Sequence, residues 1–85
     1  MGLDELINKL KLLIKTRHFS EPSVTEFDDR IEVNVPEMNR TCAMKIVQEV
    51  TSRYGIKMSF TVLTHNGGKV TKFILYKNVK KVGTL

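Results

Sequence analysis

Apolar residues recur at helical spacing from the start of the chain. Leu3, Leu6, Ile7, Leu10, Leu13 and Ile14 form one stripe, with Asn8, Lys9, Lys11 and Lys15 mainly on the other side. This pattern predicts an amphipathic helix over residues 3–17. Asp4 and Glu5 open it and Lys15 and Arg17 close it, which suits the helix dipole. Leu12 falls off the stripe, and a single exposed leucine is ordinary. Pro22 then punctuates a loop. At Ile31, Val33 and Val35 the period becomes two, which predicts a half-buried strand over 31–35. Asp28-Asp29 can turn the chain back from a companion strand over 23–27. Pro36 ends the strand. Cys42, Ala43, Ile46, Val47, Val50 and Tyr54 return to helical spacing over 40–54, with Asn39 placed to cap the helix and Gly55 to follow its end.

The clearest pattern lies between residues 56 and 79. Two runs rich in β-branched and aromatic residues flank His65-Asn66-Gly67-Gly68. Asn-Gly between alternating apolar residues is the strongest short hairpin signal. With Asn66-Gly67 as the central turn residues, Phe60 faces Phe73, Met58 faces Leu75 and Val62 faces Thr71. Ile56, Met58, Phe60, Val62, Phe73 and Leu75 then share one apolar face. Lys57, Ser59, Thr61, Leu63, Val70, Lys72, Ile74 and Tyr76 take the other. A three-residue loop would shift this register by one.

The order α-β-β-α-β-β predicts an α+β, two-layer sandwich with two helices on one face of a mainly antiparallel four-stranded sheet. Residues 1–85 read as a single domain with a flexible tail over 79–85. The expected core holds Leu6, Leu10, Leu13, Ile31, Val33, Ile46, Val50, Phe60 and Phe73. Sheet order and oligomeric state stay open at this level.

Charge changes the picture more than composition does. No acidic residue follows Glu49, whereas Arg53, Lys57, Lys69, Lys72, Lys77, Lys80 and Lys81 do. Residues 1–35 carry a net −2 and residues 36–85 a net +7, within a total of +5. A one-sided positive field attracts polyanions. Lysine on an edge strand also guards against aggregation, but seven basic residues without one acid exceed that need.

Other chemistry finds little footing. An 85-residue chain has a small core and little room for a deep substrate cavity. His65 stands at a turn without an acidic neighbour, and His18 stands at a helix end, so neither reads as a general base. Cys42 falls on the apolar stripe of the second helix and reads as a packed thiol. A lone cysteine excludes an internal disulfide and any cysteine-cluster metal site. Glu26, Asp28, Asp29 and Glu32 lack the spacing of a calcium loop and read as a solvated turn. Gly67-Gly68 precedes no helix and is no phosphate loop. No apolar run is long enough to span a membrane, and no signal core follows the basic start that one requires. We expect a reduced, cytoplasmic, non-enzymatic protein without cofactor or metal.

The expected function is a small regulatory nucleic-acid-binding domain, for DNA or RNA, built on the second hairpin. Lys57, Lys72 and Tyr76 project from one face. Lys69, Lys77, Lys80 and Lys81 lie at its ends, and Arg53 flanks it with Arg40 and Lys45. Lysines beside an aromatic ring can hold phosphates while the ring stacks on a base. The alternative is a protein-interaction module, or homodimer, that uses an open sheet face or edge, with Leu63, Val70, Ile74 and Tyr76 as its apolar patch.

In outline the helix–hairpin–helix–hairpin order resembles the DNA-binding double-wing domains of phage transcription activators. The resemblance rests on the strand at 31–35, the helix ahead of Gly55 and the Asn66-Gly67 hairpin, about two-thirds of the chain. Such outlines recur across unrelated functions, and no site residue is carried over from it.

Overall fold

The amphipathic stripe of the first fourteen structured residues does form a helix. In the computed structural model, which describes residues 2–77, α1 spans Leu3–Thr16. It buries Leu6, Ile7, Leu10 and Ile14. Its end is a Schellman motif. His18 takes the left-handed conformation (φ 67), its N–H donates to Lys15 O at 2.9 Å, and the Phe19 N–H reaches back to Ile14 O at 3.3 Å. Phe19 then packs against the core and redirects the chain toward the sheet.

β1 (Ser23–Glu26) and β2 (Arg30–Pro36) make the first hairpin. Pro36 is the last residue of β2, paired with Val70, and lies just inside the strand that it was expected to terminate. Glu37 follows with φ 62, and this left-handed step sends Met38 into the core, fully buried. α2 (Arg40–Tyr54) begins at the Asn39 cap, whose side-chain oxygen accepts from the Cys42 N–H at 2.9 Å. Gly55, at φ 64, closes it.

β3 (Met58–His65) and β4 (Gly68–Tyr76) turn on Asn66 (φ 51) and Gly67 (φ 80), both left-handed as a type I′ turn requires. The register is the one that a two-residue loop predicts: Met58 faces Leu75, Phe60 faces Phe73 and Val62 faces Thr71. The order in the sheet is β1-β2-β4-β3, with every neighbouring pair antiparallel. β2 and β3 therefore run parallel, with β4 inserted between them and α2 making the crossover.

Both helices cover the same side of this sheet. Their buried residues form one cluster with Ile31, Val33 and Val35 of β2, Phe73 and Leu75 of β4, Met58 and Met38. The result is the two-layer α+β sandwich. Leu13 and Phe60, expected in the core, are only partly buried and pack on its margin. Thr71 is the one buried polar side chain among the described residues, and its hydroxyl donates to Met38 O at 2.9 Å. That bond ties the β2–α2 connection to the central strand. Arg17 bridges the helices through Glu49 at 3.1 Å. The expected tail over 79–85 lies outside the described residues.

Candidate nucleic-acid interface

Strand pairing lays out the uncovered face of the sheet in rungs. Ser59, Ile74, Glu32 and Thr25 form one, and Thr61, Lys72, Asn34 and Ser23 the next. Leu63, Val70 and Pro36 follow toward the Asn-Gly turn. Tyr76 and Arg30 pair at the opposite end, where the Tyr76 N–H donates to Lys57 O at 3.5 Å. Leu63 and Tyr76 are exposed, and Val70 and Ile74 are half-buried. The face is therefore mixed: apolar near the turn, charged in the middle, aromatic at the far end.

Glu32 organises the charged middle. Its side chain is only 12% exposed. It accepts from Arg30 Nε at 2.9 Å and pairs with Lys72 Nζ at 3.2 Å. Arg30 also donates to Asp29 at 2.8 Å, and its guanidinium lies 4.1 Å from the centre of the Phe27 ring. The Arg30 hydrogen bond, and behind it Lys72, hold the Glu32 carboxyl below the ordinary carboxylate range, against an opposing push from desolvation. Glu32 in turn, with Asp29, raises Arg30 above its usual value. Because Glu32 titrates lower when folded, these pairs stabilise the fold in full above about pH 4.5, and that contribution fades as pH falls through the folded value.

Although no acidic residue follows Glu49 in sequence, carboxylates do reach the basic hairpin in the fold. Lys72 meets Glu32, Lys77 Nζ meets Glu26 at 2.7 Å, and Arg53 meets Glu49 at 3.8 Å. Charge segregated along the chain is mixed in space, because β4 runs beside the first hairpin, which carries Glu26, Asp28, Asp29 and Glu32. Lys57 and Lys69 are exposed and carry no ion pair among the described residues. They lie at opposite ends of the hairpin, since Lys69 pairs with Thr64 beside the turn. Arg53 lies on the helical layer, where it lines a groove with Lys9 and Leu12, and does not join the hairpin lysines. Lys80 and Lys81 lie outside the described residues.

What the fold does bring together is Lys57, Tyr76 and Lys77. With Tyr54, Gly55 and Ile56 they line an open cleft of about 370 Å³ where α2 ends and β4 leaves the sheet. Tyr54 was assigned to the helix stripe alone. It does pack on the core margin, but it also walls this cleft. A tyrosine in the last helical turn, immediately before the capping glycine, was the available signal.

The remaining candidates keep their structural roles. Cys42 is half-buried against the core. His65 closes β3 opposite Gly68 as a turn residue. Glu26, Asp29 and Glu32 each pair with a cation instead of converging, and the described residues contain no cluster of three His, Cys, Asp or Glu placed to hold a metal. No helix among the described residues is long and apolar enough to cross a membrane.

The neutralised centre has a measurable consequence. In Glu32→Gln, Lys72 loses its carboxylate partner while Arg30 keeps Asp29. If the face contacts phosphates, single-strand affinity at low salt should rise roughly tenfold, equivalent to about 1.4 kcal/mol. The salt slope should steepen by about 0.7 for the added contact. Anisotropy titrations of wild type and variant check this. An unchanged affinity would show that Lys72 lies off the path of the ligand.

No protein-family model matches the chain, and no curated protein matches its sequence.

Proposed function

We propose that the chain is a small, non-enzymatic nucleic-acid-binding domain that holds single-stranded segments at the Lys57–Tyr76 end of its sheet. One observation carries this reading: two tyrosines and two lysines line a single cleft of about 370 Å³. That size lies within the range of small-ligand sites. Stacking on an aromatic ring is tolerant of sequence, because every base has a π face. Lys57, free of any carboxylate among the described residues, is the cation placed to meet a neighbouring phosphate. Arg40, Lys45 and Lys69, all exposed, add sequence-independent attraction to a chain of net charge +5. Paired bases in a duplex are closed to the tyrosines, so single strands should bind more tightly.

The test is a salt titration of binding to single- and double-stranded oligonucleotides by fluorescence anisotropy. Two to four phosphate contacts predict a slope of log affinity against log salt of about −1.4 to −2.8 on single strands. Lys57→Glu should weaken binding at low salt without changing the far-UV spectrum. It is a cleaner probe than reversal of Lys72 or Lys77, which would set carboxylates against Glu32 or Glu26. No binding to either form at low salt, or binding indifferent to Lys57→Glu, would defeat the reading. A second reading, an interaction module that uses the sheet's free edge, is favoured by the absence of charge along β3.

A further inference from the structure

β3 is the outermost strand in the order β1-β2-β4-β3. It runs for eight residues and pairs with β4 residue for residue, without a bulge. From Met58 to His65 it contains no Asp, Glu, Lys, Arg or Pro. An open edge of this kind is a template for further pairing. Natural sheets blunt such edges with charge, proline, bulges or short length. The opposite edge, β1, is four residues long and follows Pro22. β3 carries none of these devices.

The hydrogen-bond phase of β3 follows from one contact. The Tyr76 N–H donates to Lys57 O, so Lys57 and the odd-numbered residues after it direct their backbone groups to β4. Antiparallel alternation then turns the N–H and C=O of Met58, Phe60, Val62 and Thr64 outward. Among the described residues no backbone or side-chain hydrogen bond reaches these groups.

We propose that this edge pairs with the β3 edge of a second copy of the chain, forming a two-fold dimer with one continuous sheet. An antiparallel two-fold axis at Thr61 sets Phe60 of each copy opposite Val62 of the other, and Met58 opposite Thr64. Every outward backbone group of the strand then has a partner. Across the axis Thr61 meets Thr61 in a non-hydrogen-bonded pair, where side chains come closest, and Ser59 meets Leu63. No charge opposes a like charge along the paired span, despite the net +5 of the chain. A charged peptide would find no countercharge on β3, which favours a second copy as the occupant. This dimer stands independently of nucleic-acid binding.

Sedimentation over a concentration series tests it directly. Wild type should move from the 9.7 kDa monomer to the dimer. Thr61 is exposed beside Lys72, so Thr61→Glu gains a countercharge and Thr61→Lys faces a lysine already paired with Glu32; both should keep the fold, which circular dichroism and a urea midpoint verify. Each variant alone should stay monomeric, because like charges face across the axis. Mixing the two should restore a dimer, since opposite charges then meet. Amide exchange supplies a second readout: the Phe60 and Val62 amides should slow with concentration in wild type and stay fast in Thr61→Lys. A wild type that is monomeric up to about 1 mM overturns the proposal. So does a dimer that both Thr61 variants leave intact, or one in which the edge amides still exchange rapidly.

Discussion

Replacing Phe73 by alanine is expected to destabilise the domain by about 3–5 kcal/mol. Phe73 is fully buried on β4, an interior strand with neighbours on both sides. It faces Val33 on one side and Phe60 on the other, with the Phe60 ring tilted against it at 6.5 Å between centroids. Both helices press on the cluster that it anchors. Truncation removes the transfer energy of a whole ring and leaves a cavity that a regular sheet cannot close. A domain of this length has a total stability of roughly 4–13 kcal/mol, so the variant should be largely unfolded or close to it. Urea denaturation followed by circular dichroism measures the loss. Val62→Ala, on the edge strand and half-buried, is the control and should lose much less. A Phe73→Ala penalty below about 1.5 kcal/mol would mean that the centre of the core lies elsewhere.

Tyr76→Ala should lower single-strand affinity by about 1–3 kcal/mol, the amount associated with one base stacked on an aromatic ring. Duplex binding should change far less, because its bases are already stacked on one another. Tyr76 is 42% exposed and lies outside the core, so the melting temperature should barely move. Tyr76→Phe separates ring from hydroxyl and should retain most of the affinity. Anisotropy with matched single- and double-stranded oligonucleotides gives all of these values. An equal loss on both forms would point to a phosphate contact through the hydroxyl, and no loss on either would remove the cleft from the binding path.

Much of this fold was legible residue by residue. The stripe Leu6–Leu10–Ile14, the alternation Ile31–Val33–Val35, the Asn39 cap and Gly55 each act within a few positions along the chain, and each behaves in the structure as its pattern predicts. The Asn66-Gly67 turn goes further. Its two left-handed residues set the β3–β4 register, and with it which side chains share a face. The candidate site was legible only in part. Lys57, Tyr76 and Lys77 gather because they flank one hairpin, whereas Tyr54 joins them only through the packing of the α2 end against that hairpin.

Strand order was decided by tertiary structure alone, and the electrostatics followed from it. Nothing local makes β4 the neighbour of β2, because the choice depends on how two amphipathic helices and two hairpins bury their apolar faces together. Once β4 lies beside β2, Lys72 meets Glu32 and Lys77 meets Glu26, a pair separated by 51 residues in sequence. The same packing supplies Thr71 with the Met38 carbonyl, 33 residues away. Periodicity and turn chemistry act over a turn of helix or across a tight loop. Charge pairing and buried polar partners depend on which strands come to rest side by side, a non-local outcome of burying one shared core.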